Sequence, residues 1–123
     1  MTSNSNSSIR LFHIIIIGSL FLYVGMAGIN MSAFMYPILL VLGTIVILYH
    51  GFLLYKKLIA DKNPCIKGIH VYLIGPILLI IGLKKEHTQR FYFELLLMLG
   101  FASIGYHGYY IVIHNHNNII VLN

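Results

Sequence analysis

The sequence predicts an all-α integral membrane protein whose four transmembrane helices form two tandemly duplicated helical hairpins. Two observations support this fold class. Hydrophobic residues make up 59% of the 123 residues and charged residues only 9%, whereas a soluble domain is about one-quarter charged. In addition, residues 9–51 align without a gap with residues 66–108, and 15 of these 43 aligned pairs are identical. A match of this length and density marks an internal repeat.

Four segments with almost no charge are long enough to cross a bilayer. They cover Leu11–Gly28, Tyr36–Tyr55, Ile66–Leu83 and Phe91–Ile113, and each approaches the roughly 20 residues that a helix needs to span the hydrocarbon core. The first segment also has the form of a signal peptide. Because the internal third segment repeats it, we expect the first to be retained as a mature span.

The predicted domain organisation follows the repeat. A disordered leader covers residues 1–8, hairpin repeat 1 covers 9–57, a linker covers 58–65, hairpin repeat 2 covers 66–114 and a tail covers 115–123. Since each copy contains two crossings, both copies enter the membrane from the same side. We therefore expect a pseudo-two-fold axis along the membrane normal.

The basic residues near the span ends predict the orientation. One side carries five of them and the other carries three, and the richer side is expected to be cytoplasmic, together with both termini. The five are Arg10, Lys56, Lys57, Lys62 and Lys67, and the three are Lys84, Lys85 and Arg90. Cations in these positions favour anionic lipid headgroups as partners over nucleic acid.

Four histidines recur in equivalent places in the two copies. His13 and His70 lie about one turn inside the starts of the first and third spans, and His50 and His107 lie near the ends of the second and fourth. Because successive spans alternate in direction, all four are predicted to lie in one leaflet at a similar depth. An ionisable side chain within a membrane is a candidate functional residue.

Glycines predict the packed faces of the helices. Gly18 and Gly25, like Gly75 and Gly82, are seven residues apart and share one face, where a neighbouring helix can approach closely. In the other two spans, a glycine precedes the histidine by seven residues, which favours an inward direction for His50 and His107. The predicted supporting residues are Tyr49, Tyr106, Gly43, Gly100, Gly51 and Gly108.

These features predict an ion-handling function, a channel or small transporter responsive to pH or to a transition metal, in a homo-oligomer. Imidazole binds Zn or Cu, and a pair of imidazoles on two helices could ligate haem b. The alternative is a structural or assembly subunit of a larger membrane complex or virion membrane, in which the histidines serve packing. An enzyme is not expected, since no phosphate-binding loop, nucleophile with a matched base or paired carboxylates occur in the sequence.

Overall fold

The computed structural model describes residues 2–60, 63 and 65–121, and it describes side chains for residues 7–60, 63 and 65–113. The described chain is helical apart from short turns. Four helices are long and apolar enough to cross a membrane, as the sequence predicts. These are span 1 (Ser7–Asn30), span 2 (Met35–Ile59), span 3 (Cys65–His87) and span 4 (Arg90–Ile113).

The odd-numbered spans change helix type along their length, whereas the even-numbered spans do not. Span 1 belongs to a run made of α-helix Thr2–Phe12, π-helix His13–Gly18, α-helix Ser19–Ala27 and 3₁₀-helix Gly28–Asn30. Span 3 consists of α-helix Cys65–Ile69, π-helix His70–Ile74, α-helix Gly75–Lys84 and 3₁₀-helix Lys85–His87. The even spans lie in the unbroken α-helices Met35–Ile59 and Arg90–Val121.

The two chain ends differ from the sequence prediction. The backbone is helical over residues 2–8, where a disordered leader is predicted, and over residues 115–121, in the predicted tail. The physical reason is cooperativity, because extending an existing helix adds one hydrogen bond for each residue fixed and needs no new nucleus.

Two compact units make up the chain. Unit 1 comprises residues 1–26 and 94–123 and contains spans 1 and 4, while unit 2 comprises residues 27–93 and contains spans 2 and 3. Each unit therefore combines one helix from each copy of the repeat. The hairpin domains 9–57 and 66–114 follow the sequence copies and remain a prediction.

Equivalent positions are buried in the two units. In unit 1 the fully buried side chains include Phe21, Val24 and Leu96. Their partners in the sequence alignment are Leu78, Ile81 and Leu39, which are the fully buried aliphatic side chains of unit 2. The repeat thus preserves the positions that form the two cores.

Glycines line the seam between the two helices of each unit. A Cβ atom added at Gly25 would lie 2.6 Å from Leu97 Cβ, and one added at Gly82 would lie 2.6 Å from Leu40 Cγ. Leu40 and Leu97 are themselves aligned in the repeat. Four further glycines also have aligned neighbours in the two units. Gly18 faces Ile104 and its aligned residue Gly75 faces Ile47. Gly43 faces Leu78 and Leu79, and its aligned residue Gly100 faces Phe21 and Leu22.

The predicted supporting glycines beside the histidines do not belong to these seams. A Cβ atom at Gly51 or Gly108 would meet nothing within 4 Å. Their position in the repeat is therefore not explained by close packing in the structure.

Gly28 and Lys85 both have a positive φ, in the short 3₁₀ segments that follow the odd-numbered spans. The values are +56° at Gly28 and +49° at Lys85, and the two residues are aligned in the repeat. Glycine adopts this conformation without a steric penalty, whereas a residue with a Cβ atom is strained in it. The second copy thus keeps the turn of the first but has lost the residue best suited to it.

Candidate functional site

The four predicted histidines form two pairs, and each pair lies within one unit. In unit 2, His50 of span 2 stacks on His70 of span 3, with ring centroids 4.3 Å apart and an interplanar angle of 10°. In unit 1, His13 of span 1 meets His107 of span 4, with centroids 4.7 Å apart and an angle of 36°. All four side chains are half-buried. Each pair joins an odd-numbered to an even-numbered span.

Hydrogen bonds to the main chain fix the tautomer of three of these imidazoles. Nδ1 lies 2.8 Å from the carbonyl oxygen four residues earlier in both His13 and His70, and 3.1 Å from it in His50. A carbonyl oxygen only accepts, so Nδ1 must carry the donated hydrogen. In the neutral ring the lone pair is then on Nε2.

The π-helical segments begin at the histidines of the odd-numbered spans, His13 in span 1 and His70 in span 3. In an α-helix the backbone N–H of a residue bonds to the carbonyl four residues earlier, and at His13 and His70 the imidazole Nδ1–H takes the same carbonyl. This competition favours a change of backbone register, and Gly75 N–H bonds to the His70 carbonyl, five residues earlier. Such segments occur frequently at functional sites. At His50, where the imidazole bond is longer, the helix stays α.

Each pair is flanked by the predicted supporting tyrosine. Tyr49 contacts His50 edge to face, with centroids 5.2 Å apart and an angle of 89°, and Tyr106 contacts His107 in the same way, at 5.2 Å and 86°. Both tyrosines are exposed, at 59% and 40%. Each tyrosine therefore packs against the histidine ring that follows it in the sequence while part of its own side chain stays exposed.

The two units differ in the residues that lie one helical turn from the histidines, toward the ends of the spans. In unit 1, the Arg10 guanidinium lies 5.0 Å from the centroid of the Tyr110 ring, and Arg10 Nη1 donates to the Tyr110 carbonyl oxygen over 3.3 Å. The aligned residues in unit 2 are Lys67 and Leu53. Leucine has no ring face to hold a cation, so the units share the histidines but not the surroundings of the neighbouring positive charge.

The geometry of the pairs does not match a four-ligand metal centre. Within residues 7–60, 63 and 65–113, no three His, Cys, Asp or Glu side chains come close enough together to hold a metal ion. A structural zinc site needs four such ligands. The described structure brings the four histidines together two at a time, and their place in a single layer stays a prediction.

A haem also does not fit between the stacked rings. The two axial ligands of a haem lie on opposite sides of the macrocycle and direct their nitrogens at the iron. In the His50 and His70 pair the ring faces oppose each other at 4.3 Å, which leaves no room for a macrocycle, and the lone pairs lie in the ring planes and do not converge. A proton, which needs one nitrogen, is compatible with this arrangement.

The four histidines are the predicted site residues, and the sequence predicts an inward direction only for His50 and His107. The structure turns His13 and His70 toward a histidine of the other copy. It also reveals the π-helical segments and the contact between Arg10 and Tyr110, which the sequence analysis missed. The sequence does mark Arg10 as a position of interest. It aligns with Lys67, and these two cations each precede a repeated histidine by three residues.

The fold and the site define a class of helical protein with four bilayer-length apolar helices and a histidine pair at each of two glycine-lined helix seams. No family model matches this sequence, and no similar curated protein or solved structure is found.

Proposed function

We propose that this chain is an integral membrane protein that takes up and releases protons at its two histidine pairs, as part of a proton channel, proton-coupled transporter or pH-responsive membrane assembly. The observation that supports this proposal is the pairing of the imidazoles, three of which, in His13, His50 and His70, donate Nδ1–H to a backbone carbonyl oxygen. In the neutral form of these three rings the lone pair is on Nε2, and imidazole changes its charge between about pH 5 and 8.

Stacking limits how much charge one pair can hold. Two unit charges 4.3 Å apart repel by about 4 kcal/mol at an effective dielectric constant of about 20, and by about 1 kcal/mol in bulk water. Uptake of one proton by a pair is therefore favoured over uptake of two. A site of this kind passes a single charge from ring to ring more readily than it stores several.

The charged and titratable neighbours of the pairs set the electrostatic environment. In unit 1, Tyr106 contacts His107 and Arg10 precedes His13 by three residues; in unit 2, Tyr49 contacts His50 and Lys67 precedes His70 by three residues. The described carboxylates, Glu86 and Glu94, belong to the opposite ends of spans 3 and 4.

A conduction pathway would need more helices around each pair than one unit supplies, because two helices cannot enclose a pore. Between 11% and 28% of the most apolar window of each span is buried, so ample apolar surface remains for further copies or for lipid. We propose a homo-oligomer, with both termini on the cytoplasmic side and the two sequence copies related by a two-fold axis along the membrane normal.

The test is proton flux into liposomes that contain the purified protein, followed with an internal pH-sensitive dye. The double variant His50→Ala/His107→Ala removes one imidazole from each pair, and His87→Ala removes an exposed histidine that lies outside both pairs. We expect wild type and His87→Ala to conduct protons, and the double variant to lose the flux while its circular dichroism spectrum stays helical.

Two results would contradict the proposal. If the double variant conducts like wild type, the pairs do not carry the proton. If the wild-type protein is impermeable and the double variant unfolds, the histidines serve helix packing, and the chain is a structural or assembly subunit. Elemental analysis of the same samples tests a third case, in which the histidine pairs bind a metal ion. A transition metal that is present in stoichiometric amount and is lost on acidification would assign the pairs to metal binding and not to proton transfer.

A further inference from the structure

We infer that the contact between Arg10 and Tyr110 is a clasp, which closes unit 1 over the pair of His13 and His107 and controls the access of water to that pair. The contact joins span 1 to span 4 at the end of the unit that carries the histidines. This inference rests on the proposed function for its role, since a pair that exchanges protons needs a path to water. Its test measures the access of water and not the flux of protons.

The clasp lies directly beyond the pair on both helices. Arg10 precedes His13 by three residues, and Tyr110 follows His107 by three residues, which is about one turn of a helix. The Arg10 guanidinium carbon lies 5.0 Å from the centroid of the Tyr110 ring, and its Nη1 donates to the Tyr110 carbonyl oxygen over 3.3 Å. In a membrane, water reaches a shallow site from the ends of the helices, and in unit 1 the clasp lies on this route.

Aromatic rings connect the clasp to the histidine pair. The Tyr106 ring contacts the His107 imidazole, with centroids 5.2 Å apart, and it also contacts the Tyr110 ring, with centroids 5.0 Å apart. On span 1, the Phe12 ring meets His13 edge to face, with centroids 5.8 Å apart. A series of ring contacts therefore runs from the pair to the clasp, so displacement of Tyr110 changes the packing around the imidazoles.

Unit 2 shows that a histidine pair forms without these residues. The residues aligned with the arginine, the tyrosine of the clasp and the phenylalanine are Lys67, Leu53 and Ile69. Leucine and isoleucine have no ring face for a cation, and an ammonium group lacks the planar fork of a guanidinium. The rings of His50 and His70 nevertheless stack at 4.3 Å. Formation of a pair thus does not require the clasp, which leaves control of access as its role.

The exposure of the clasp indicates that it opens readily. The Tyr110 side chain is 39% exposed, and a cation over an exposed ring shifts an equilibrium by roughly two- to fivefold. The hydrogen bond from Arg10 to the main chain adds to this stabilisation, and it does not depend on the side chain of residue 110. The clasp therefore slows the exchange of the pair with water and does not prevent it.

The test is deuterium exchange at the imidazole C2 hydrogen of each histidine, measured by mass spectrometry on peptides from the reconstituted full-length protein. This exchange requires water at the ring, and it is compared for the same histidine in different variants at a pH above the imidazole pKa of about 6.5. Tyr110→Leu removes the ring that holds Arg10. We expect exchange at His13 and His107 to become roughly two- to fivefold faster, the effect of losing one exposed cation–π contact, and exchange at the pair of unit 2 to stay unchanged.

Two further variants sharpen the test. Tyr23→Leu is the matched control, because it removes an exposed tyrosine of unit 1 that lies ten residues beyond His13, and it should leave all the exchange rates unchanged. Lys67→Arg/Leu53→Tyr places the two clasp residues at the aligned positions of unit 2, and it should slow exchange at the histidines of that unit by a similar factor.

Equal exchange in wild type and Tyr110→Leu, or equal effects of Tyr110→Leu and Tyr23→Leu, would overturn the inference. Amide exchange on the same samples shows whether spans 1 and 4 stay folded. If Tyr110→Leu unfolds unit 1, the variant Lys67→Arg/Leu53→Tyr decides, and unchanged exchange at its histidines would overturn the clasp. A wild-type protein impermeable to protons would refute the proposed function, while the exchange rates would still test the clasp, so the two failures are distinguishable.

Discussion

Replacement of Gly25 by alanine should destabilise unit 1, although alanine is the better helix former. The added Cβ atom would lie 2.6 Å from Leu97 Cβ, 2.8 Å from Leu97 Cα and 2.9 Å from Leu97 N. Carbon atoms in contact normally lie about 3.5–4.0 Å apart. Since two of these three atoms are backbone, a rotamer change cannot relieve the overlap, and the helices of spans 1 and 4 must separate.

The magnitude follows from a comparison with Gly108, which belongs to the same unit. Alanine is favoured over glycine inside a helix by about 1 kcal/mol, and a Cβ atom at Gly108 meets nothing within 4 Å, so Gly108→Ala should be neutral or stabilising by up to that amount. Gly25→Ala gains the same preference but incurs overpacking of about 1–3 kcal/mol. The free energies of unfolding of the two variants should therefore differ by about 1–3 kcal/mol, with Gly25→Ala the less stable.

The assay is unfolding in mixed micelles with an increasing fraction of sodium dodecyl sulfate, followed by far-ultraviolet circular dichroism. Gly82→Ala and Gly51→Ala form the corresponding pair in unit 2, where the Cβ atom at Gly82 would lie 2.9 Å from the Tyr36 carbonyl oxygen and that at Gly51 would meet nothing. If Gly25→Ala and Gly108→Ala unfold at the same detergent fraction, the seam does not depend on a close approach at Gly25, and the packing argument is refuted.

Two further predictions concern the ends of the spans. Lys85→Gly should raise the free energy of unfolding by up to about 1 kcal/mol, because it relieves the positive φ of +49°, while Lys84→Gly, at a φ of −78°, should lower it by a similar amount; the same detergent titration measures both, and equal effects would exclude strain at Lys85. Tyr110→Leu, which gives unit 1 the residue that unit 2 has at this position, should cost about 0.5–1 kcal/mol through loss of the Arg10 cation–π contact. A double-mutant cycle with Arg10→Gln should give an interaction energy of this size, while the hydrogen bond from Arg10 to the residue 110 carbonyl oxygen contributes separately; an interaction energy of zero would exclude the cation–π contact.

Bilayer-length helices could be predicted from the sequence because length and lack of charge determine them directly. The glycine faces were predictable for the same reason, since a spacing of seven residues returns to one side of an α-helix. The helix that packs against each glycine face could not be predicted. A glycine stripe requires a close neighbour but does not specify it, and a partner in the same hairpin would satisfy Gly18 as well as the observed Ile104 of the other copy.

The direction of His13 and His70 could not be predicted because the helix changes type at these residues. In an α-helix, residues five apart are separated by roughly 140° around the axis, which puts His13 and Gly18 on different faces. In a π-helix the N–H of the residue five positions later bonds to the carbonyl oxygen of the first, so the angle between the two residues around the axis is smaller than in an α-helix. The π-helical segments His13–Gly18 and His70–Ile74 thus bring histidine and glycine toward the same side, and periodicity calculated for an α-helix misses this.

The assignment of spans 1 and 4 to one unit and spans 2 and 3 to the other has an evolutionary consequence. Every seam described here joins a helix of one sequence copy to a helix of the other, so a chain with a single copy would contain neither seam. Such an ancestor would have to obtain both from a second molecule, as a homodimer with two identical histidine pairs. Fusion of the two genes would then remove the dependence on protein concentration and free the pairs to diverge, and the replacement of the arginine and tyrosine of one unit by Lys67 and Leu53 in the other is the divergence expected after such a fusion.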